Sequence, residues 1–498
     1  MKKITLFNYI LSSILFLGLI PSVHAQLQNS NWYFGNQAGL NFNDITQPPI
    51  ILTNSSMGTD GSSASVSDSS GNLLFYTNGI VVWNNAHQIM PNGAGLLGNT
   101  EMSQSVLIVP KPDDANKYYI FSNGGNAMGF SGLHYSVLDM ALDNGQGDID
   151  VNEKNVLLLE NTNERLTAML NPNDNSYWLV SFAPSDNPIV SDTFYSFKID
   201  PTGVNLASQS TFTFRLPPSL TQLGGQMKIS PDGQFLAMTH NTVSTDSRFG
   251  ILEAESLYSF NFDSTTGVVS SLNSSLLLDE ADVLYSYGLE FSPDNNLLYV
   301  TTTHKRTIGP PYPDVEVATG RIYQIDYKDL NMGSTPTLIY EGVDPIYSLQ
   351  LGIDGKIYAV NSSGAIGTIH TPNIFGLGAN YVHENIDLSP NSAVKELPQL
   401  VPDVIVSAVT PKNYLPKKPV IQGNPFKDEL KFKFKFIQTY TIEVYNSAGV
   451  LTKTVVYDDM TNRKIYKVDT SGLPQDTYYL IIRDEHSQIW YETVLKVE

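Results

Sequence analysis

The stretch KISPDGQFLAMT, residues 228–239, decides the fold of this chain. It has the pattern of a β-hairpin: a short strand, a tight turn of Ser, Pro, Asp and Gly, and a second strand with an apolar centre. Two-residue hairpin turns need positive φ angles, which Gly, Asn and Asp tolerate. The same pattern occurs in EFSPDNNLLYVTT (290–302). The hairpin is therefore a repeated unit.

Four further copies of the hairpin occur in SVSDSSGNLLFYT (65–77), IVPKPDDANKYYIFS (108–122), MLNPNDNSYWLVS (169–181) and LGIDGKIYAVN (351–361). Successive copies are about 60 residues apart, except for a first interval of about 44, and such a period is typical of solenoids and propellers. Two strand-like runs separate the hairpins, as in LHYSVLD (133–139) and KNVLLLE (154–160), or SLYSFNFD (256–263) and SSLLLD (274–279). Four strands per repeat are the content of one propeller blade.

The two ends of the repeat region carry strands outside any hairpin. These are NWYFG (31–35), GLNFN (39–43) and PIILT (49–53) at one end, and DVIVSAV (403–409) at the other. Pairing both ends in one mixed blade would close the ring and remove two exposed sheet edges. We therefore predict an all-β fold, a β-propeller of seven blades, with six as the alternative, followed by a small C-terminal β-sandwich.

The N-terminus has the layout of a secretory signal peptide. Lys2 and Lys3 precede an apolar run over residues 9–20, and Pro21 precedes Val23-His24-Ala25. The run is roughly a dozen residues, whereas a spanning helix needs about 20. We expect cleavage after residue 25, a mature chain that starts near Gln26 and no membrane-spanning segment in it. An uncleaved membrane anchor is the alternative.

Charge and proline content divide the mature chain. Residues 417–498 carry 12 Lys and Arg against 11 Asp and Glu, whereas residues 26–416 carry 15 against 38. The stretch TPKNYLPKKP (410–419) has three prolines and is typical of a semi-rigid linker. We expect a signal peptide at 1–25, a repeat domain at 26–409, a linker at 410–419 and a C-terminal domain at 420–498.

Composition excludes several classes of function. The chain has no cysteine, which excludes disulfides, thiolate metal sites and cysteine nucleophiles. The net charge of −20 argues against nucleic acid as a partner, because phosphate binding requires clustered Lys and Arg.

The tail has its own pattern. Residues 430–436 alternate strictly between Leu or Phe and Lys, and turn signals follow at 446–449 and 472–475. This pattern indicates a small β-sandwich with its lysines on the exposed face.

The repeat region resembles a known family in the ordered motifs NWYFGNQAGLNF, LLFYTNGIVVWNNAHQIMPNGAGLLGN, SQSVLIVPKP, LHYSVLDMALDNGQGD, KISPDG, YGLEFSPD, LQLGIDGKIYAV and LGANYVHENIDL. Together they are similar to large gliding-motility-associated or type IX-secreted surface proteins of Bacteroidota, over residues 31–402. The sequence departs from that family at ELPQLVPD (396–403), where such proteins carry a Gly-Leu-Pro-Asn-Phe-like segment.

The tail resembles a second family, the type A C-terminal sorting domain of the type IX secretion system. The resemblance lies in NPFKDELKFKF (424–434), YTIEVYNSAGVLTKT (440–454), VDTSGLPQDTYYLIIRDE (468–485) and YETVLKV (491–497). It implies that the type IX machinery of the outer membrane recognises the tail, which is then either removed during surface attachment or kept as an anchor. The expected location is extracellular or on the outer cell surface, after passage through the periplasm.

Candidate chemical residues are few. His240 and His304 each follow the second strand of a hairpin and could share a rim of the ring, where two histidines and a carboxylate could hold a metal. The other candidates in the repeat region are His87, His134, His370 and His383. Since no close ligand spacing such as H-E-x-x-H occurs, hydrogen-bonded structural histidines are the favoured interpretation.

Two other features have an ordinary structural interpretation. Residues 143–150, DNGQGDID, faintly resemble a calcium loop, but Lys154 stands where an EF-hand has its glutamate, so a turn is favoured. Trp32, Trp83 and Trp178 could stack on glycans, but their positions at strand centres favour core packing.

Two functional classes remain. One is a binding or adhesion module for a glycan or protein ligand, and the other is a lactonase-like or hydrolase propeller, because LLYVTT and SPDG also resemble hairpins of that kind. A charged cluster facing the axial channel would favour an enzyme. The pairs at the starts of the inner strands, Gln104-Ser105, Leu166-Thr167, Gln226-Met227 and Leu349-Gln350, are neutral. We therefore expect a binding module, and assign no catalytic, cofactor-binding or metal-ligating residue and no cofactor.

Overall fold

The computed structural model of the protein describes residues 27–127, 130–171, 173–185, 191–216, 224–240, 257–276, 283–308, 315–326, 336–401, 420–433, 440–447, 450–457, 466–484 and 489–497. These residues form antiparallel β-sheets and four short 3-10 helices, at Leu27–Asn29, Asp143–Gly145, Val151–Glu153 and Gly376–Ala379. Within this part of the chain, no helix has both the length and the apolar character needed to cross a membrane.

The described part of the body, residues 27–401, forms seven sheets in chain order. The first holds β1 (Asn31–Phe34), β2 (Ala38–Asn41) and β3 (Ile50–Leu52); the second β4 (Ala64–Ser67), β5 (Leu73–Thr77), β6 (Val81–Asn84) and β7 (Ile89–Ala94); the third β8 (Val106–Pro110), β9 (Lys117–Ala127), β10 (Phe130–Asp139), β11 (Asp148–Ile149) and β12 (Val156–Leu159). The fourth holds β13 (Leu166–Leu170), β14 (Tyr177–Ala183), β15 (Ser191–Asp200) and β16 (Gly203–Leu216); the fifth β17 (Met227–Ile229), β18 (Phe235–Thr239), β19 (Leu257–Asp263) and β20 (Val268–Leu276). The sixth holds β21 (Val283–Phe291), β22 (Leu297–Ile308), β23 (Val315–Asp326) and β24 (Thr337–Gly342); the seventh β25 (Ile346–Leu351), β26 (Ile357–Asn361), β27 (Ile366–Ile369) and β28 (Tyr381–Ile386).

All six predicted hairpins are present as the first two strands of the second to seventh sheets. Their turns have the expected backbone, because Gly233, Asn295 and Gly355 have φ of +66°, +62° and +77°. In the fifth sheet the Ser230 hydroxyl donates to Asp232 over 2.7 Å and accepts from the Phe235 N–H over 3.0 Å. The serine and aspartate of the motif thus hold the turn by side-chain hydrogen bonds.

Neighbouring sheets pack face to face around a closed ring. The apolar clusters between successive sheets include Tyr33 with Tyr76, Val66 with Ile108, Leu107 with Leu166, Val180 with Met227, Leu257 with Leu289, and Tyr299 with Ile357. The seventh sheet packs on the first through Trp32, Phe42 and Tyr358, with the Trp32 and Tyr358 rings 5.5 Å apart. The predicted all-β, propeller-type body is confirmed.

The number of blades stays a prediction. The predicted mixed blade requires residues 403–409, which lie outside the described residues, as do the signal peptide at 1–25 and the linker at 410–419. In the described part, β1, β2 and β3 form a three-stranded sheet.

The tail is a sandwich, as predicted. One sheet holds β29 (Val420–Gln422), β30 (Glu429–Lys433) and β33 (Tyr466–Asp469), and the other holds β31 (Tyr440–Tyr445), β32 (Leu451–Tyr457), β34 (Thr477–Asp484) and β35 (Ile489–Leu495). Leu430 and Phe432 lie in the tail's own apolar cluster, whereas Lys431 and Lys433 do not. The alternation therefore places one side of β30 in the core.

Lys496 fixes the end of the chain to this sandwich. Its side chain is 7% exposed, and its Nζ donates to the carbonyls of Lys427 and Thr470 over 2.8 and 2.7 Å. The ammonium also lies over the Phe426 ring, 5.9 Å from its centroid. The last strand is thereby held against the loop that precedes β30.

We predict that Lys496→Met destabilises the tail by about 2 kcal/mol, because the buried Thr470 carbonyl and the partly buried Lys427 carbonyl lose their donor. Lys467→Met is the matched control: Lys467 is exposed and pairs with Glu429 over 2.9 Å, so its loss should cost less than about 1 kcal/mol. Hydrogen exchange of β34 and β35 in the full chain measures both. Equal exchange in the two variants would contradict this account of Lys496.

Candidate functional site

The first strands of the sheets meet at the centre of the ring. β8, β13, β17, β21 and β25 each contact the first strand of a neighbouring sheet, and each forms hydrogen bonds to its own sheet on one side alone. The other edge faces the axis with backbone N–H and C=O groups. Buried groups of this kind need partners, because an unmade hydrogen bond costs about 1–3 kcal/mol.

Polar side chains from other sheets supply these partners. Gln104, which precedes β8, accepts from the Met227 N–H over 2.7 Å and donates to the Met227 carbonyl over 3.1 Å. Gln226 accepts from the Leu289 N–H over 2.9 Å. Glu290 accepts from the Leu351 N–H over 2.8 Å. Each bond joins two sheets across or around the axis.

A segment of chain fills the axis itself. We call residues 393–401 the axial segment. The Ser348 N–H donates to the Lys395 carbonyl over 3.2 Å, and the Gln399 N–H donates to the Ser63 carbonyl over 2.8 Å. Val401 ends the segment in the apolar cluster between the third and fourth sheets. The segment therefore spans the ring from the seventh sheet to the third and fourth sheets.

A group of buried polar residues, all but one of them titratable, includes Glu396 of the axial segment. We call Glu164, Arg165, Gln226, His240, Tyr287 and Glu396 the axial cluster. Arg165 and Gln226 directly precede the first strands β13 and β17, and His240 directly follows β18. Because the two strands of a hairpin are antiparallel, the start of a first strand and the end of a second strand lie at the same rim of the ring. The cluster is thus assembled from the fourth, fifth and sixth sheets and the axial segment.

Arg165 is fully buried and bound on all sides. Its Nη1 donates to Asn163 over 2.6 Å, and its Nη2 donates to the Thr239 carbonyl over 2.6 Å and to Nδ1 of His240 over 3.1 Å. Burial lowers the pKa of Arg165 to about 10, and the neighbouring Glu164 acts against that shift. Arg165 therefore stays charged at neutral pH.

His240 is neutral in this environment. Burial and the Arg165 charge lower the pKa of His240 well below its usual value. Since Arg165 can only donate, Nδ1 of His240 accepts, and the ring proton lies on Nε2. That atom has no hydrogen-bond partner among the described residues.

Two carboxyl groups complete the axial cluster. Glu396 accepts from Gln226 over 2.9 Å and lies beside the Tyr287 phenol. Burial raises the pKa of Glu396 to about 8, despite the hydrogen bonds from Tyr287 and Gln226, and Glu164 adds to the rise. Burial, followed by the Glu396 charge, raises the pKa of Tyr287 well above 10. Near neutral pH, Glu396 is thus a buried carboxylic acid.

Glu164 lies 4% exposed against a glycine pair. Its Oε2 accepts from the Ser103 N–H over 3.2 Å, and its Oε1 has no hydrogen-bond partner among the described residues. A Cβ at Gly224 would lie 2.2 Å from this carboxyl, so no other residue fits there without displacement. The axial cluster can therefore supply a carboxylic acid, a second carboxyl group and a fixed positive charge.

The sequence prediction for the axis needs correction. The four pairs at the strand starts are neutral, but the charged residues lie just outside them: Glu164 and Arg165 before Leu166, Lys228 after Met227, and Glu396 on the axial segment. Lys228 donates to Gln350 over 2.9 Å and forms a buried ion pair with Glu290. A neutral axis therefore cannot be an argument for a binding module.

The structure separates the predicted histidines. His240 bonds to Arg165, while His304 lies 2.6 Å from the Thr302 hydroxyl and 3.4 Å from Arg321. His87 bonds to Asn54 and Tyr76. Burial lowers the pKa of His87, His134 and His370. His240 and His304 thus each have their own partners and do not form one site.

The other sequence candidates serve packing. Trp32, Trp83 and Trp178 are at most 7% exposed and lie in apolar clusters, as the favoured interpretation had it. In the 143–150 loop, Asp148 accepts from the backbone and side chain of Asn92 over 2.8 and 2.6 Å. That carboxylate joins the loop to β7 of the second sheet.

A cavity of about 610 Å³ opens at the rim of the hairpin turns. Residues from the second, third and fourth sheets line it, with Val401 of the axial segment. Asp68, Lys111, Asp114 and Lys117 supply charges of both signs at its wall. Its volume is within the range of small-ligand sites.

Residues 421–496, which include almost the whole tail sandwich, match the family model of the secretion system C-terminal sorting domain. The tail is a sorting domain. The chain is thus a protein sorted by the type IX secretion system and exported to the cell surface or the extracellular space, as the resemblance of the tail implied. Among curated proteins, none matches the sequence.

Solved structures with a similar fold are distant. Hydrazine synthase of Kuenenia stuttgartiensis is 14% identical with a TM-score of 0.36, covering 62% of this chain and 73% of its own. A protein described as the extracellular domain of a one-component system from B. thetaiotaomicron is 12% identical with a TM-score of 0.34, covering 94% and 61%. The α-L-arabinofuranosidase of Fusarium graminearum, solved with arabinobiose, is 11% identical with a TM-score of 0.35, covering 75% and 96%. Scores this low carry no argument about function.

We predict that Glu396 makes the stability of the body depend on pH. Its pKa is about 8 in the folded protein against 4.5 for an ordinary glutamate, so the folded state binds the proton more tightly between these values. Stability should fall as pH rises from about 5 to about 8, by a few kcal/mol. Glu396→Gln keeps the acceptor for Gln226 and should remove most of this slope.

Denaturant unfolding at pH 5, 6.5 and 8 measures the effect. Glu160→Gln is the control, because Glu160 is exposed and should leave the slope unchanged. If the free energy of unfolding of the wild type does not fall from pH 5 to pH 8 by more than that of Glu396→Gln, the claim that Glu396 is protonated is wrong.

Proposed function

We propose that this exported protein presents its ring-shaped body as a rigid, non-catalytic binding module for a glycan or protein ligand. The observation that carries the proposal is the axial segment, which fills the centre of the ring. The side chains of Gln104, Gln226 and Glu290 accept hydrogen bonds from backbone N–H groups of first strands. A polar axis used in this way stabilises a scaffold, and leaves recognition to the outer surfaces.

The cavity at the hairpin rim is where we expect the ligand to bind. It combines a concave shape with Asp and Lys side chains, which suit the hydroxyl groups of a glycan or the polar side chains of a protein. Hairpin turns held by their own hydrogen bonds keep this rim rigid.

We further propose how the chain reaches its location. The signal peptide at 1–25 is removed, the mature chain starts near Gln26, and the linker at 410–419 separates the body from the domain at 420–498. The type IX machinery recognises the tail in the periplasm, and the tail is then either removed during surface attachment or kept as an anchor. The separate apolar cluster of the tail supports this division, because the tail has a core of its own.

We predict that deletion after Val409 stops the protein in the periplasm with its body folded. The reason is that the deleted residues include the sorting domain, whereas the sheets of the body lie before them. Surface labelling and cell fractionation measure the location, and calorimetry of the purified proteins measures the melting of the body. A control with Pro411, Pro416 and Pro419 changed to Ser keeps the tail and should still reach the surface. Surface display of the truncated protein would contradict the assignment.

An enzyme remains a second candidate on one specific observation. Glu164 and Glu396 are buried and electrostatically coupled, and the pKa of Glu396 is raised to about 8. A pair of carboxyl groups is the usual machinery of glycoside hydrolysis. This is the lactonase-like or hydrolase alternative that the sequence left open.

One set of variants distinguishes the two functions. The binding module predicts that Lys111→Glu, in the cavity wall, weakens binding in a glycan array by about tenfold or more, while Glu164→Gln binds like wild type. Lys198→Glu, on β15 away from the cavity wall, is the matched charge reversal. Hydrolysis of a lactone or chromogenic glycoside that Glu164→Gln abolishes would overturn the binding module in favour of the enzyme.

A further inference from the structure

The outer edge of the ring carries a cluster of a kind that the sequence did not reveal. Asp344 lies in the loop between β24 and β25, and His383 and Glu384 lie on β28. One carboxylate oxygen of each acid and one ring nitrogen of the histidine all lie within 4.8 Å of one another. Among the described residues, this is the group of His, Asp and Glu whose donor atoms are close enough for one ion.

A bulge in β28 brings two consecutive side chains to the same side. Thr368 of β27 pairs with Val382 and Ile366 pairs with Ile386, so residues 383–385 lie opposite a single residue of β27. Glu384 has φ of +49°, which breaks the regular alternation of a strand. In a regular strand the side chains of His383 and Glu384 would point to opposite faces.

The histidine is oriented by its second ring nitrogen. The Tyr381 hydroxyl lies 3.2 Å from Nδ1 of His383 and 3.2 Å from Oδ1 of Asn361. If the hydroxyl donates to Asn361, its oxygen accepts from Nδ1–H, which leaves the lone pair on Nε2. Nε2 faces Asp344, 3.7 Å from its Oδ2. Metal-binding histidines are commonly oriented by such a hydrogen bond on the other nitrogen.

Packing fixes the ring in that position. Tyr340 of β24 stacks on His383 with centroids 5.1 Å apart and planes at 20°. Tyr381 packs edge-on against Tyr340, with their ring centroids 4.7 Å apart. A Cβ atom at position 367 would lie 2.3 Å from the Tyr381 hydroxyl. Glycine at 367 therefore makes room for the residue that orients His383.

We propose that Asp344, His383 and Glu384 bind a divalent transition metal of the zinc class between the sixth and seventh sheets. One nitrogen and two carboxylate donors suit zinc, whereas calcium takes six to eight oxygens. Donors about 2.0–2.1 Å from a tetrahedral ion are about 3.3–3.5 Å apart, so the 3.7 Å pair needs a small rotation of one carboxylate.

Three protein ligands leave one coordination position for water or a ligand. Asp344 and His383 are half-buried and Glu384 is exposed, so solvent reaches the cluster. A metal here would also join the loop that follows β24 to the outermost strand of the next sheet. It would tie two sheets together at the outside of the ring, where the axial network does not reach.

Calorimetric titration of the untagged mature chain with Zn²⁺ tests the proposal, with elemental analysis of the dialysed protein for stoichiometry. We expect one Zn²⁺ per chain, lost in the double variant Asp344→Asn/His383→Ala. Tyr381→Phe removes the orienting hydroxyl and should weaken binding by about 10- to 100-fold. His370→Ala is the control, because His370 is a partly buried histidine that directly follows β27 and lies outside the cluster, and this variant should bind like wild type.

Two results would overturn the metal site. One is a wild-type chain that takes up no Zn²⁺ at micromolar concentration, which would mean that His383 and Asp344 contact each other without holding an ion. The other is unchanged binding in the double variant, which would place the ion elsewhere. Should the double variant fail to fold, Zn²⁺ protection against unfolding decides instead. Protection of Tyr381→Phe that needs about 10- to 100-fold more Zn²⁺ than protection of His370→Ala supports the site, and equal protection in both contradicts it.

Discussion

The backbone edge that each sheet turns toward the axis is the constraint on which this structure depends. When sheets pack face to face in a ring, their faces are removed from water. One edge of every first strand, with its backbone N–H and C=O groups, is left in a narrow interior. Gln104, Gln226 and Glu290 provide partners for that edge, and the axial segment fills the remaining space. Because these side chains come from other sheets, the same bonds that satisfy the backbone also hold the ring in register.

The chemistry of the centre follows from this arrangement. A filled axis excludes water, so ionisable groups there keep only the charges that a partner stabilises. Arg165 keeps its charge because Asn163, the Thr239 carbonyl and Glu164 surround it. Glu396 has amide and phenol neighbours, and its pKa rises to about 8. A buried carboxylic acid such as Glu396 can either stabilise a scaffold or take part in catalysis. In both cases its burial at the axis explains why it is protonated.

The body and the tail solve the problem of stability separately. Without cysteine, the chain relies on burial in both domains. The body closes its first sheet on its seventh through Trp32 and Tyr358. The described part of the tail packs twelve apolar residues into one cluster between its two sheets and holds its last strand through Lys496. Because the tail has its own core, the secretion machinery can bind it without changing the structure of the body.

The sequence by itself determined the periodic features of this protein. The hairpins, their positive-φ turns, the alternation in β30, the sandwich and the sorting domain could all be predicted, because each depends on residues close together in the chain. The burial of Trp32, Trp83 and Trp178 followed from their positions at strand centres.

Only the tertiary structure decided the sites. Glu164 and Glu396 are 232 positions apart, and Asp344 and His383 are 39 apart, so no local spacing could connect them. The departure at residues 396–403 was visible in the sequence, but nothing there indicated that part of this stretch fills the axis. Side chains from several sheets converge at the axis because closing the ring brings the first strands together, and that closure is a property of the whole chain.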